Sequence, residues 1–128
     1  MKLLTKEIIQ KMPPLGTTAQ KSSEEIPVIC KFFLPEGRWT WFICEGSLTT
    51  EDGTEKALKD CSDAELNDPK NDIIFFGYCW SGLGSDCDEL GNVSFNELKS
   101  VKTKRFKLPI ERDLHFPVGG HMVSEFMK

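Results

Sequence analysis

Two runs in this chain are apolar on both phases of a period-two pattern, and the remaining elements arrange themselves around them. In Arg38–Glu45, Trp39, Trp41 and Ile43 fill one phase and Thr40, Phe42 and Cys44 the other, as in a strand covered on two sides. Ile73–Trp80 reads the same way, which predicts that the two strands lie side by side in the middle of a sheet. Gly77 inside the second run signals a bulge or a close backbone approach. Val28–Leu34 is a third strand, with Val28, Cys30, Phe32 and Leu34 on one face. Pro35-Glu36-Gly37 then reads as a three-residue hairpin loop. That loop sets Phe33 opposite Trp39, Phe32 opposite Thr40, Lys31 opposite Trp41 and Cys30 opposite Phe42. Residues 89–93 form a short strand, and 106–116 an extended crossing that Pro109 confines to an edge.

Helical spacing is confined to short stretches. Thr5 caps a helix reaching Met12, with Leu4, Ile8, Ile9 and Met12 on one side and Glu7 near the positive end of the dipole; Pro13-Pro14 ends it. Ser62 with Glu65, and Ser94 with Glu97, match a reciprocal capping pattern. The second opens a helix to about Lys102 with Phe95, Leu98 and Val101 inward. Residues 15–25 and Ser81–Asp88 read as loops, 46–72 as a mobile acidic insertion, and 117–128 as a frayed tail. The fold class is therefore α+β: a single domain over 1–128, with an antiparallel sheet of four or five strands and two main helices packed against it.

At 128 residues the chain buries enough surface for one unaided core. No apolar run approaches the ~20 residues of a membrane span, and the first residues lack the apolar core of a secretory signal, which points to the cytoplasm. Five cysteines, Cys30, Cys44, Cys61, Cys79 and Cys87, form an odd set without metal-ligand spacing and read as reduced structural thiols. No metal and no cofactor is expected. The net charge of −4 is unevenly placed: residues 51–72 hold eight acids against three lysines, whereas 99–112 hold six bases against Glu111 alone. Opposed fields of this kind steer charged partners, although two solvated faces are the commoner meaning.

Chemistry-bearing residues are few. Glu111, Asp113 and His115 project to one side of an extended segment and make a weak acid–base set, with Glu45 in support; the plainer reading has Arg112 in a structural ion pair and the others at the surface. Asp86-Cys87-Asp88 offers oxygens to a cation but lacks the further ligands of a calcium loop. The glycines at 82 and 84 give no dinucleotide signature. Trp39 and Trp41 share a face: they are either core beneath the helix that starts at Phe95 or an exposed platform for a partner. Binding candidates are thus Trp39, Trp41, Glu45 and Arg112. The basic run 99–107, with Phe106, has the composition of a phosphate contact in an otherwise acidic chain.

Leu4-Thr5-x-Glu7-Ile8, Lys31-Phe32-Phe33-x-Pro35-x-Gly37-x-Trp39-Thr40-Trp41, Phe75-Phe76-Gly77, Glu89-Leu90-Gly91, Ser94-Phe95-x-Glu97-Leu98 and Ile110-Glu111-Arg112-Asp113-Leu114 occur in this order along the chain. Together they resemble a family of small bacterial domains of unknown function carried on plasmids, phages and other mobile elements. Trp-Thr-Trp and Glu-Arg-Asp-Leu are the most specific pieces. The chain departs from the pattern at Phe42, where a Tyr is usual, and at Gly91-Asn92-Val93-Ser94. The resemblance implies a mobile-element setting and transfers no catalytic residue. Three readings follow: an accessory protein that binds another protein; a hydrolase or metal-dependent enzyme using Glu111, Asp113 and His115; or a nucleic-acid-binding module using 99–107 and the tryptophans.

Overall fold

The computed structural model describes residues 2–81 and 88–127. Its centre is the pairing of β3 (Thr40–Thr49) with β5 (Asp72–Trp80), the two runs apolar on both phases. β6 (Glu89–Ser94) extends the sheet beyond β5, and β2 (Cys30–Phe33) followed by β7 (Glu111–Arg112) extends it beyond β3. β4 (Glu55–Ala57) pairs with the far half of β3. The sheet is antiparallel and, among the described residues, has six strands, one or two more than the pattern predicts. The extra strand comes from the polar stretch read as a mobile insertion. Gly46–Thr49 continue β3, Thr50–Thr54 turn the chain back, and Leu58 beyond β4 is fully buried. One buried leucine between charged residues is too sparse a signal for periodicity to catch.

The hairpin register departs from expectation by one residue. The turn has four residues, Pro35–Arg38, closed by the Leu34 N–H on the Trp39 carbonyl at 3.0 Å, with Gly37 at φ +92°. Phe32 therefore faces Trp41, Phe33 faces Thr40 and Lys31 faces Phe42, so no Phe33–Trp39 pair forms. Burial decides the matter, because a one-residue slip exchanges faces. The three-residue loop would have put Lys31 on the Trp41 side of the sheet. Here its ammonium lies 5.9 Å from the Phe42 ring centroid and 3.5 Å from an Asp113 oxygen, while Phe32 is fully buried.

Both faces of the sheet are covered. On one, α1 (Lys6–Lys11), α2 (Asp63–Asn67) and α3 (Phe95–Ser100) enclose Phe32, Ile43, Leu48, Phe75 and Ile110. Thr5 accepts from the Ile8 N–H at the start of α1, and Ser62 and Glu65 form the reciprocal box of α2. Ser94 caps α3 through the Glu97 N–H. Its hydroxyl also bonds the Asp72 carboxylate, which accepts from the Asn96 N–H at 3.0 Å and so fastens α3 to the start of β5. Among the described residues there are three α-helices where two main ones were expected, and α3 stops at Ser100.

The opposite face is closed by the stretch expected to fray. β8 (His121–Met122) pairs with β1 (Pro27–Val28), Val123 is fully buried, and Phe126 stacks on Phe42 at 4.2 Å between centroids. The glycines at 119 and 120 suggested looseness, but Gly119 at φ +72° turns the chain and donates to the Val28 carbonyl at 3.0 Å. Of the Asp86-Cys87-Asp88 segment, whose carboxylates offer oxygens to a cation, Asp86 and Cys87 lie outside the described residues.

A candidate aromatic face

The antiparallel register sorts the candidate residues onto the two faces. Arg112, Phe32, Trp41, Cys79 and Glu89 are successive cross-strand neighbours, so their side chains share one face. Trp39 lies on the same side, two residues from Trp41, and the indoles stack with centroids 6.2 Å apart and planes at 20°. Trp39 is 41% exposed and Trp41 half-buried. The pair is not roofed by α3, because Phe95 seats that helix further along, 5.3 Å from Phe75 and 6.2 Å from Phe32 between ring centroids. The Trp39 end of this face is left open.

Beside Trp41 the sheet surface dips. Gly77 and Gly91 pair directly across β5 and β6. With Trp41, Ile43, Cys79 and Glu89 they line a groove of about 190 Å³. Close approach explains one of these glycines. A β-carbon on Gly77 would overlap the Phe42 carbonyl oxygen and lie 3.1 Å from the Ile43 Cα, whereas one on Gly91 would meet nothing within 4 Å. The Gly77 signal in the sequence thus marks a close approach, and the bulge falls in the partner strand, where the register shifts between Ile43 and Glu45.

That shift also separates Glu45 from the other candidates. Glu45 faces Phe76 rather than the tryptophan row, is 3% exposed, and accepts from the N–H groups of Gly16 at 2.9 Å and Thr18 at 2.6 Å, as well as from the Thr18 hydroxyl. Ser47 next to it accepts from the Leu15 N–H at 2.9 Å. The carboxylate is an anchor for residues 15–18 and does not reach the Glu111 cluster. Sequence reasoning missed this role, since nothing in the alternation marks which buried strand position a remote polar loop will need.

Glu111, Asp113 and His115 do come together, lining with Lys31, Phe33 and Leu114 a depression of about 370 Å³. Asp113 is already engaged there: one oxygen accepts from the His115 N–H at 3.0 Å and the other faces Lys31. Arg112 points to the other face and donates from Nε to the Lys2 carbonyl at 3.3 Å. Among the described residues no group of three or more His, Cys, Asp or Glu is placed to hold a metal ion. Burial pushes the Cys44 thiol up to about 12 and the Cys79 thiol to about 11, so neither is disposed to act as a nucleophile near neutral pH. Cys30, Cys44, Cys61 and Cys79 are all free. No helix among the described residues is long and apolar enough to cross a membrane.

Fold and site together define a small α+β domain that is covered on both faces of its sheet and leaves an aromatic corner open. The chain belongs to the family described as protein of unknown function (DUF2958), whose model matches residues 63–128. That span contains Phe75-Phe76-Gly77 and Glu111-Arg112-Asp113-Leu114, whereas Trp39-Thr40-Trp41 lies outside it. No curated protein and no solved structure gives a significant match.

Proposed function

We propose that this is a small cytoplasmic accessory protein of a bacterial mobile element and that it works by binding another protein through the Trp39–Trp41 corner. The observation that carries the reading is the stacked indole pair, Trp39 exposed and Trp41 half-buried, beside the groove over Gly77 and Gly91, with Arg112 in the same cross-strand row. Trp and Arg dominate the residues that carry binding energy at protein interfaces, and a shallow dip beside a rigid aromatic anchor is the shape such residues fill. The Glu111 depression is the runner-up, supported by the convergence of three titratable side chains in one hollow.

Affinity capture from the native host separates the two readings. A partner retained by Glu111→Gln and Asp113→Asn but weakened about 30-fold or more by Trp39→Ala, the factor expected for a hot-spot residue, supports the binding module. A partner indifferent to both Trp39→Ala and Trp41→Ala refutes it.

A further inference from the structure

The hairpin between α3 and β7 presents a cluster that the aromatic corner does not use. Lys102 and Pro109 bridge its base, and Thr103, 6% exposed, latches it. The Thr103 N–H donates to the Leu108 carbonyl at 2.9 Å, its carbonyl accepts from the Lys107 N–H at 3.1 Å, and its hydroxyl oxygen accepts from the Leu108 N–H at 2.9 Å. Within that frame Lys107 is held at φ +56°, the one left-handed non-glycine residue among those described. Such a conformation persists only where the surrounding bonds over-determine it. The latched tip carries Lys104, Arg105, Phe106 and Lys107, all exposed, with Phe106 at 59% and the Arg105 guanidinium 4.8 Å from its ring centroid. No ion pair among the described residues involves Lys102, Lys104, Arg105 or Lys107.

We propose that this tip binds single-stranded nucleic acid, with a base stacked on the open face of Phe106 and flanking phosphates on Lys104, Arg105 and Lys107. An exposed aromatic ring on a short segment rich in cations is what unpaired bases and their backbone require together. A duplex offers no free base face. An anionic membrane is the weaker match, since Arg105 covers one side of the lone apolar ring and the chain as a whole is acidic. The acidic turn does not forbid the contact. Glu111 pairs beside Phe33 at the Thr40 end of β3, where the hairpin joins the sheet, whereas Glu51 and Asp52 lie in the turn at the Thr49 end. Ten strand residues separate those two ends by about 30 Å, roughly four screening lengths at physiological salt.

Fluorescence anisotropy of the full chain with labelled oligothymidylate and oligouridylate of about 20 nucleotides, long enough for one binding site, tests this. Binding to either strand is expected. Its logarithmic salt slope should be about −2 to −3, from about −0.7 per phosphate contacted. Phe106→Ala should weaken it about 5- to 150-fold, the range for one lost stacking contact, with the slope unchanged. Lys104→Ser and Lys107→Ser should each flatten the slope by about 0.7. No binding at low salt overturns the proposal, as does affinity that survives replacing all four tip residues. Capture by phosphatidylserine vesicles that neither oligonucleotide competes away also overturns it.

Discussion

Replacing Gly77 by Ala, with Gly91→Ala as its control, probes the centre of the fold with a single methyl group. The two glycines face each other across β5 and β6. The new methyl at position 77 would lie 2.9 Å from the Phe42 carbonyl carbon and 3.1 Å from the Ile43 Cα, and closer still to the Phe42 oxygen. Carbon–oxygen contacts settle at about 3.3–3.6 Å, so β3 and β5 must part locally. Both are central, and no flexible side chain can give way instead. Two or three ladder hydrogen bonds at about 1 kcal/mol each, together with the Phe42 packing loosened beside them, bring the loss to about 3–5 kcal/mol, in the exceptional class for one substitution. Gly91 has open space above it and a negative φ, so alanine there should be neutral or stabilise by up to about 1 kcal/mol through the unfolded chain. Urea unfolding followed by tryptophan fluorescence reads both. With a slope of about 2 kcal/mol per molar, the Gly77→Ala midpoint should fall by about 2 M and that of Gly91→Ala should hold. Equal shifts, or a loss below about 1 kcal/mol for Gly77→Ala, would refute the close approach.

Glu45→Ala should cost about 2–4 kcal/mol, since it leaves the buried Thr18 N–H and hydroxyl without their acceptor and frees the Gly16 N–H, and faster amide hydrogen exchange at those two residues would localise the loss. Phe126→Ala should destabilise by about 1–3 kcal/mol by removing its stack on Phe42; an unchanged melting temperature would mean that the last residues do not pack in solution. Stability should also fall at alkaline pH. Burial raises the Cys44 thiol from its ordinary 9.0 to about 12. The unfolded chain therefore releases that proton first, and the stability present below pH 9 drains by up to about 1.4 kcal/mol per pH unit above it. Urea midpoints at pH 8 and pH 10 should differ for the wild type and differ less for Cys44→Ala.

The alternation of residues along the chain was enough to specify the two central strands, their adjacency and their double cover, because a strand with no polar phase has no face to offer to water. It also located the caps at Thr5, Ser62 and Ser94 and the edge position near Pro109, all local rules of backbone chemistry. What lies beyond it depended on distant partners. The hairpin register followed from where Phe32 and Lys31 had to go once the sheet was covered, and the loop residues alone could not weigh that. Leu58 and Val123 are single buried residues in polar or glycine-containing surroundings, and their partners come from remote segments. Trp39 stands open because Phe95 seats α3 over Phe75 rather than over the indoles, and Glu45 became an anchor because residues 15–18 end beside a bulge. Period and propensity act over a few residues, whereas coverage of a sheet face is settled only when the whole chain competes for it.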